Sequence, residues 1–398
     1  MSNINSSRRH RGGVPKVAIL VDTSSTWGRN IIAGVISYTR THGRWNIFVE
    51  ARGMEESMQV PRGWHGEGVI ARIGSAAMAA HLRSKRIPVV NVSGIELPGP
   101  GFSQVSTDLV ASARLAVDHF LERGFRHFAY FSLSGLDYVA RHQQAFVEAV
   151  KSSGGDFASL TVKPQAGAEP DWRLDLVKLG EWVKSLPKPV AVLCWNASGA
   201  REMIFACQEV GLQVPEEVAV LSQSDDDVLC EAAQIPISGV RVAASVIGFQ
   251  AAKLLDHLMH GLKPPKQPLF IAPHSIASRQ STDTFAVRDP ALIKALSFIR
   301  QQATLPVLVS DVAKHAGVSR RALERKFLEV LLRSPAEELR RHQLDRVRQL
   351  LTETDLPMPL VAEKSGFGSQ AYLSAIFRKH FNQTPMRYRR EARQRKPE

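Results

Sequence analysis

The stretch Leu308–Phe327, LVSDVAKHAGVSRRALERKF, reads as a short helix, a glycine turn and a second helix opened by a capping serine. Val312, Ala313, Ala316 and Val318 are small and apolar, and Gly317 can take the φ > 0 conformation such a turn needs. Ser319 is a natural N-cap. Beyond it, Ala322, Leu323 and Phe327 share one face at helical spacing, while Arg320, Arg321, Glu324 and Arg325 point the other way. That is a helix-turn-helix whose second helix has a charged outer face. The stretch Leu360–Phe381 repeats the plan: Val361, Ala362, Gly366 and Phe367 fill the same roles, Ser369 caps, and Leu373 and Phe377 are the buried pair. A single unit of this kind also occurs in ordinary helical bundles. Two, with matching caps, glycines and basic outer faces, point to DNA.

Charge placement agrees. Residues 285–398 hold 22 Lys+Arg and 12 Asp+Glu, a net of +10 out of the chain's +13. Concentrating the excess on the segment with both motifs fits phosphate attraction and a steeply salt-dependent affinity. The chain, at 398 residues, is too long for one ordinary domain. Cys194, Cys207 and Cys230 form no metal spacing and no even framework, which suggests buried thiols in a reducing cytosol. No apolar run reaches signal-peptide or membrane-spanning length, so a cytoplasmic protein with no membrane partner is expected.

Residues 1–13 read as a disordered arm. From Val14 to residue 276, short apolar runs alternate with amphipathic helices. Strands are expected at Val17–Val21, Gly68–Ile70, Val89–Val92, Phe128–Ser132, Val190–Cys194 and Val218–Leu221, and helices at Asn30–Thr41, Ala76–Lys85, Leu109–Arg123, His142–Ser153 and Ala200–Val210. Continuously apolar strands separated by helices indicate a parallel sheet covered on both faces, here enough for two α/β lobes. Ala243–Gly261 reads as a helix and Leu269–Ile271 as a last strand. Residues 277–288, ASRQSTDTFAVR, are polar and read as a linker. Asp289 caps the next helix, with Pro290 at its first position, so 289–393 is the second domain.

Residues 289–390 resemble the DNA-binding domain of AraC/XylS-type regulators. The matching marks are VAKHAGVSRRALERKF, SPAEELRR with LL at 350–351, SGFGSQAYLSAIFRKHF and TPMRYR. Three positions depart from that pattern. Leu332 and Asn382 stand where glycines are usual, and Gln343 where an Arg is common. The segments VDTSSTWGRNIIAGV, STDLVASARLAVDHFLERGFRHFAYF and LCWNASGAREMIFACQEVGLQVPEEVAVL resemble the sensor of LacI/GalR-type regulators and periplasmic sugar-binding proteins. With the RQSTD segment, the combination resembles the XylR-like group over nearly the whole chain. The resemblance implies a two-lobed periplasmic-binding-like α/β domain followed by an all-α domain with two helix-turn-helix units. It also implies a small-molecule effector, a sugar or polyol, in the cleft at the carboxyl ends of the strands.

Ligand contacts are expected from Asp22, Ser24, Trp27 and Arg29 after the first strand. Asp108, at a helix start, serves equally well as a ligand contact or an N-cap. The family places a hydroxyl-gripping Arg three residues before a small–aromatic pair. Here the pair is Ala145-Phe146, which puts His142 in that slot with Arg141 beside it. Trp195-Asn196 stands where Asn-Asp is usual, and Ser224, followed by Asp225, aligns with the ligand-gripping Asp. Removing an Arg and two carboxylates costs a buried sugar site several hydrogen bonds, each about 1 kcal/mol or more. The expected ligand is therefore not plain xylose.

The resemblance puts Arg321, Glu324 and Arg325 of the first head at base edges: Arg suits guanine, and Glu accepts from the cytosine amino group. Gln370 and Ser374 are the polar readers of the second head, whose Ala371 and Ala375 offer only thymine-methyl contacts. Arg320, Arg378, Lys379 and Arg387 suit phosphates. Double-stranded promoter DNA is the expected macromolecular partner. The family implies a homodimer and allows a contact with RNA polymerase. No phosphate loop, metal spacing or nucleophile elbow is present, so no enzyme, cofactor or metal is expected. Two other readings remain: a solute-binding protein, and a DNA-binding regulator whose α/β part is a dimerisation scaffold.

Overall fold

The computed structural model describes residues 13–395 except 52, 54–58, 61–62, 97–100, 164–171, 285, 287–288, 306 and 332. The expected arm at 1–13, Gly13 apart, and Leu332 lie outside the described residues.

One compact unit comprises residues up to Asp108 together with Ala243–Ala272. Its strands are β1 (Lys16–Leu20), β2 (Asn46–Phe48), β3 (Gly68–Ala71), β4 (Val89–Asn91), β5 (Ser103–Thr107) and β11 (Leu269–Ile271), all parallel, in the order β11-β5-β4-β3-β1-β2. Residues 17–20 of β1 and all of β3 are buried, as a sheet covered on both faces demands. Helices α1 (Thr26–His42), α2 (Ala76–Ser84) and α8 (Ala244–Met259) cover it. α1 packs along α8, and the Tyr38 hydroxyl donates to Asp256 at 2.8 Å.

The other unit comprises Leu109–Val242 and the chain from Pro273. Its sheet holds β6 (His127–Leu133), β7 (Asp156–Val162), β8 (Val190–Cys194), β9 (Val218–Ser222), β10 (Ser238–Arg241) and β12 (Ser275–Ala277), in the order β12-β10-β9-β8-β6-β7. Side chains alternate between the two faces with period two. Val190, Val192 and Cys194 face α5 (Trp172–Ser185), α6 (Ala197–Glu209) and the short α7 (Asp227–Glu231). Ala191 and Leu193 face α3 (Leu109–Leu121) and α4 (Asp137–Ser152). All three cysteines are buried, and burial pushes the Cys207 and Cys230 thiols up to about 12.

The polar run after 276 is not a free linker in its first half. β12 pairs antiparallel with β10, and Gln280–Thr282 forms a 3₁₀ turn stitched to the sheet. The Ser281 hydroxyl donates to Val220 O at 2.6 Å, and Ser238 and Thr282 share a hydroxyl bond at 2.7 Å. Small polar residues look solvent-bound in sequence, yet here they satisfy backbone groups at the sheet edge.

The helical part contains α9 (Pro290–Gln302), α10 (Val309–Ala316), α11 (Arg320–Leu331), α12 (Pro335–Glu353), α13 (Met358–Glu363), α14 (Gln370–Phe381) and α15 (Pro385–Arg395). Asp289 caps α9 by accepting from Ala291 and Leu292. Ser334 and Glu337 form a capping box that starts α12. Two cores result. Leu292, Leu296, Ile299, Val312, Leu323 and Phe327 build the first; Leu344, Val347, Leu351, Val361, Leu373 and Phe377 build the second. α12 serves both, giving Leu339 to one and Leu344–Leu351 to the other.

Candidate functional sites

The two heads close on the same turn. Gly317 and Gly366 both stand at φ +71°, in the left-handed region. Val318 N–H donates to Ala313 O at 3.1 Å, and Phe367 N–H to Ala362 O at 2.9 Å, the six-to-one bond of a glycine-terminated helix. The Ser319 hydroxyl then accepts from Ala322 N–H and the Ser369 hydroxyl from Tyr372 N–H, each at 3.2 Å. Leu323 with Phe327, and Leu373 with Phe377, point inward. Arg320, Arg321 and Arg325 on α11, and Gln370, Arg378 and Lys379 on α14, are exposed; Glu324 and Ser374 are half-buried. Within α11, Arg320 pairs with Glu324 at 2.9 Å and Arg325 lies 3.8 Å from Glu329, so part of this charge is held along the helix before any partner arrives. Of the departures from the family pattern, Asn382 takes the left-handed conformation at φ +53° that ends α14. Gln343 is buried: it accepts from Arg340 at 3.0 Å and donates to Gly366 O at 3.0 Å, tying α12 to the second turn.

Both sheets have a switch point, β1/β3 in the first and β6/β8 in the second, and ligands of open α/β folds bind outside the carboxyl ends of strands at such points. Beyond β1, Asp22 is buried and accepts from the N–H and hydroxyl of Ser25, holding the start of α1. Arg29 donates to Thr23 O, Ser24 O and the Thr26 hydroxyl, bracing the same loop from its exposed side. Trp27 has the Arg72 guanidinium 5.9 Å from its ring centroid. Arg72 directly follows β3 and escaped the sequence reading; its place just after an apolar strand was the available signal. Asp108 directly precedes α3, and its N–H donates to Ile271 O.

In the second sheet several expected contacts have other work. His142 has no exposed surface: Nδ1 lies 2.9 Å from the Tyr130 hydroxyl and Nε2 3.2 Å from the Ser112 hydroxyl. Burial pushes its pKa down to about 3. His142 is thus a neutral core histidine, and its expected ligand role is corrected: the slot faces the α3–α4 core. Arg141 pairs with Asp137 at 2.9 Å on α4. Asn196 caps α6, accepting from Gly199 N–H at 2.8 Å. The Asp225 carboxylate is 9% exposed and pairs with Arg279 at 2.7 Å and Arg241 at 3.5 Å, which assigns it a structural bond to the RQST segment. The Ser224 N–H donates to the Ser222 hydroxyl. Beside it Gln223, 8% exposed, keeps an Oε1 with no hydrogen-bond partner among the described residues. A buried amide oxygen left unsatisfied at a strand's carboxyl end is a candidate ligand contact that the sequence reading missed. Among the described residues no cluster of His, Cys, Asp or Glu could hold a metal, and no helix is long and apolar enough to cross a membrane.

This geometry has counterparts among known proteins. Residues 16–105 match the XylR N-terminal domain, 117–282 the periplasmic binding protein-like domain, and 312–391 a helix-turn-helix domain. The chain thus joins an XylR-type N-terminal domain, a periplasmic-binding-like domain and a helix-turn-helix domain in one polypeptide. The "Xylose operon regulatory protein" of Escherichia coli K12 is 27% identical over 393 residues, covering 96% of this chain and 97% of the relative. That of Haemophilus influenzae is 28% identical over 381 residues, covering 94% and 98%. The solved structure of the "xylose-binding transcription activator xylR" is similar at 26% identity and a TM-score of 0.61, covering 96% of this chain and 99% of its own. This XylR-like chain is accordingly a DNA-binding transcription regulator in which a periplasmic-binding-like domain precedes an AraC-type domain.

Proposed function

We propose that residues 13–283 sense a sugar or closely related polyol and that residues 289–395 bind promoter DNA in response. The observation that carries the DNA half is the pair of heads with matched turns and caps on one central helix. Arg321, Glu324 and Arg325 read bases in the first groove, and Gln370 and Ser374 in the second. Arg320, Arg378 and Lys379 hold phosphates. The heads engage successive major grooves, so their contacts fall roughly 10 base pairs apart. The regulator acts in the cytoplasm as a homodimer and contacts RNA polymerase from the promoter.

On the effector side, Asp22, Trp27 and Arg72 outside the first sheet offer a carboxylate, an aromatic ring and a guanidinium, and Asn196, Gln223 and Ser224 outside the second offer amides and a hydroxyl, all suited to a polyhydroxy ligand. Xylose, named for the relatives, is the first compound to test. The second sheet's site lacks the charged grips the family uses, which favours a ligand other than plain xylose. Isothermal titration against pentoses, pentitols and uronic acids tests this, with a promoter-fragment mobility shift run in parallel. Stoichiometric, tight xylose binding would defeat the altered-ligand reading. No binding by any of them, with DNA recognition intact, would leave the α/β part a dimerisation scaffold.

A further inference from the structure

The turn between α3 and β6 joins the second sheet's domain to the helical domain. Its residue Glu122 receives Arg341 of α12 on the carboxylate, while Arg333, from the turn before α12, donates to its carbonyl. Both arginines also hold Glu338, which has no exposed surface; Arg341 reaches it at 2.7 Å. Burial alone would raise the Glu338 pKa, but His342, Arg341 and Arg333 hold it well below the usual carboxylate range. The charge is therefore kept, and removing a partner leaves it buried and uncompensated. Arg126 of the same turn donates to Val330 O at 3.4 Å.

Arg123, next in sequence to Glu122, grips the connecting segment. It donates to Thr282 O at 2.8 Å and to the Ser278 hydroxyl at 3.2 Å, and its carbonyl accepts from Ala286 N–H at 2.8 Å. One turn thus secures both the spine of the two heads and the chain leading to it. α3, 13 residues or roughly 20 Å of rigid helix, ends at this turn and starts directly after Asp108.

We propose that Glu122 couples the two domains: through Arg341 and Arg333 it ties α12 to the domain built on the second sheet, so that DNA engagement by the heads, whose own contacts it leaves intact, also stabilises that domain. The inference rests on the DNA-binding reading above.

The sequence supplies the reporter. All six tryptophans (Trp27, Trp45, Trp64, Trp172, Trp182 and Trp195) precede the helical domain, so tryptophan fluorescence sees only the α/β part. The full-length chain is melted with and without a mixed-sequence 40-base-pair duplex at low ionic strength, with binding followed separately by anisotropy. DNA held by a docked domain raises the melting temperature seen by tryptophan, because a ligand stabilises everything that unfolds together with its site. Glu122→Gln and Arg341→Met should bind the duplex within about twofold of wild type yet lose at least two-thirds of that shift, and Arg341→Lys should recover part of it. An undiminished shift in both Glu122→Gln and Arg341→Met, or no shift in a wild type saturated with DNA, would overturn the coupling. Absence of duplex binding by anisotropy would instead overturn the DNA-binding reading itself.

Discussion

Gly317 and Gly366 share a φ of +71° and one turn geometry, but an added methyl group meets different surroundings. At Gly317 nothing lies within 4 Å of the new carbon. Gly317→Ala should therefore cost only the left-handed strain, about 1–2 kcal/mol. At Gly366 the same carbon would stand 2.5 Å from Ala303 O, 2.8 Å from Leu305 O and 2.9 Å from Gln343 Nε2. Two of those neighbours are backbone and cannot swing aside, so the turn itself must move. Moving it strains the bond that Gln343 donates to Gly366 O and disturbs the seam between the segment after α9 and the second head. Overpacking adds about 1–3 kcal/mol, and the lost bond about 1 kcal/mol. With the same left-handed strain included, the expected total for Gly366→Ala is about 3–6 kcal/mol, at least twice the cost at Gly317. Hydrogen-exchange mass spectrometry on the full chain reads this directly. Peptides from α13 and α14 should lose protection by two or more orders of magnitude in Gly366→Ala, against about one order for α10 and α11 in Gly317→Ala. Equal loss in the two variants would refute the steric argument and leave conformational strain as the whole effect.

Glu324→Ala should relax preference at one base pair by about 1–3 kcal/mol, read by competition among duplexes carrying all four bases there; an unchanged profile would confine Glu324 to its pairing with Arg320. His142, with a folded pKa near 3 against an ordinary 6.5, favours the folded state fully above pH 6.5 and loses that contribution as pH falls toward 3, up to about 5 kcal/mol. Its ring resonances should stay those of a neutral imidazole down to pH 4, and titration above pH 5 would contradict the burial argument. Asp225→Asn should lower stability to urea by about 1–3 kcal/mol by leaving Arg279 less well paired. Unchanged stability together with lost effector binding would return Asp225 to the ligand site.

The heads were legible because everything that defines them is local. A glycine, a serine two or three residues after it and apolar residues at helical spacing decide the turn without help from distant chain. The same holds for β1, β3, β8 and β9, whose unbroken apolar runs leave no other comfortable state. β5, with the sequence SQVST, and the edge strand β7, DFASLTV, carry polar residues, and only pairing with neighbours defines them. His142 illustrates the harder limit. Its spacing from Ala145-Phe146 suggested a ligand slot, but its role is set by Tyr130 and Ser112, 12 and 30 residues away, which meet both ring nitrogens. Asp225 was expected in the ligand site and is instead taken up by Arg279, 54 residues on.

That pattern has a physical cause. A polar side chain at a strand's carboxyl end has two ways to be satisfied, by a ligand or by another part of the fold, and sequence shows only that it must be satisfied. The linker is the same case at larger scale: Arg279, Ser281 and Thr282 look solvated until Asp225, Val220 and Ser238 are brought to them. Glu122 and Arg333, 211 positions apart, lie further still beyond any local reading. What the fold adds to the sequence is therefore chiefly the pairing of charges and amides. In this chain such pairings also run between the second sheet's domain, at Glu122, and the helix that serves both head cores, at Arg341.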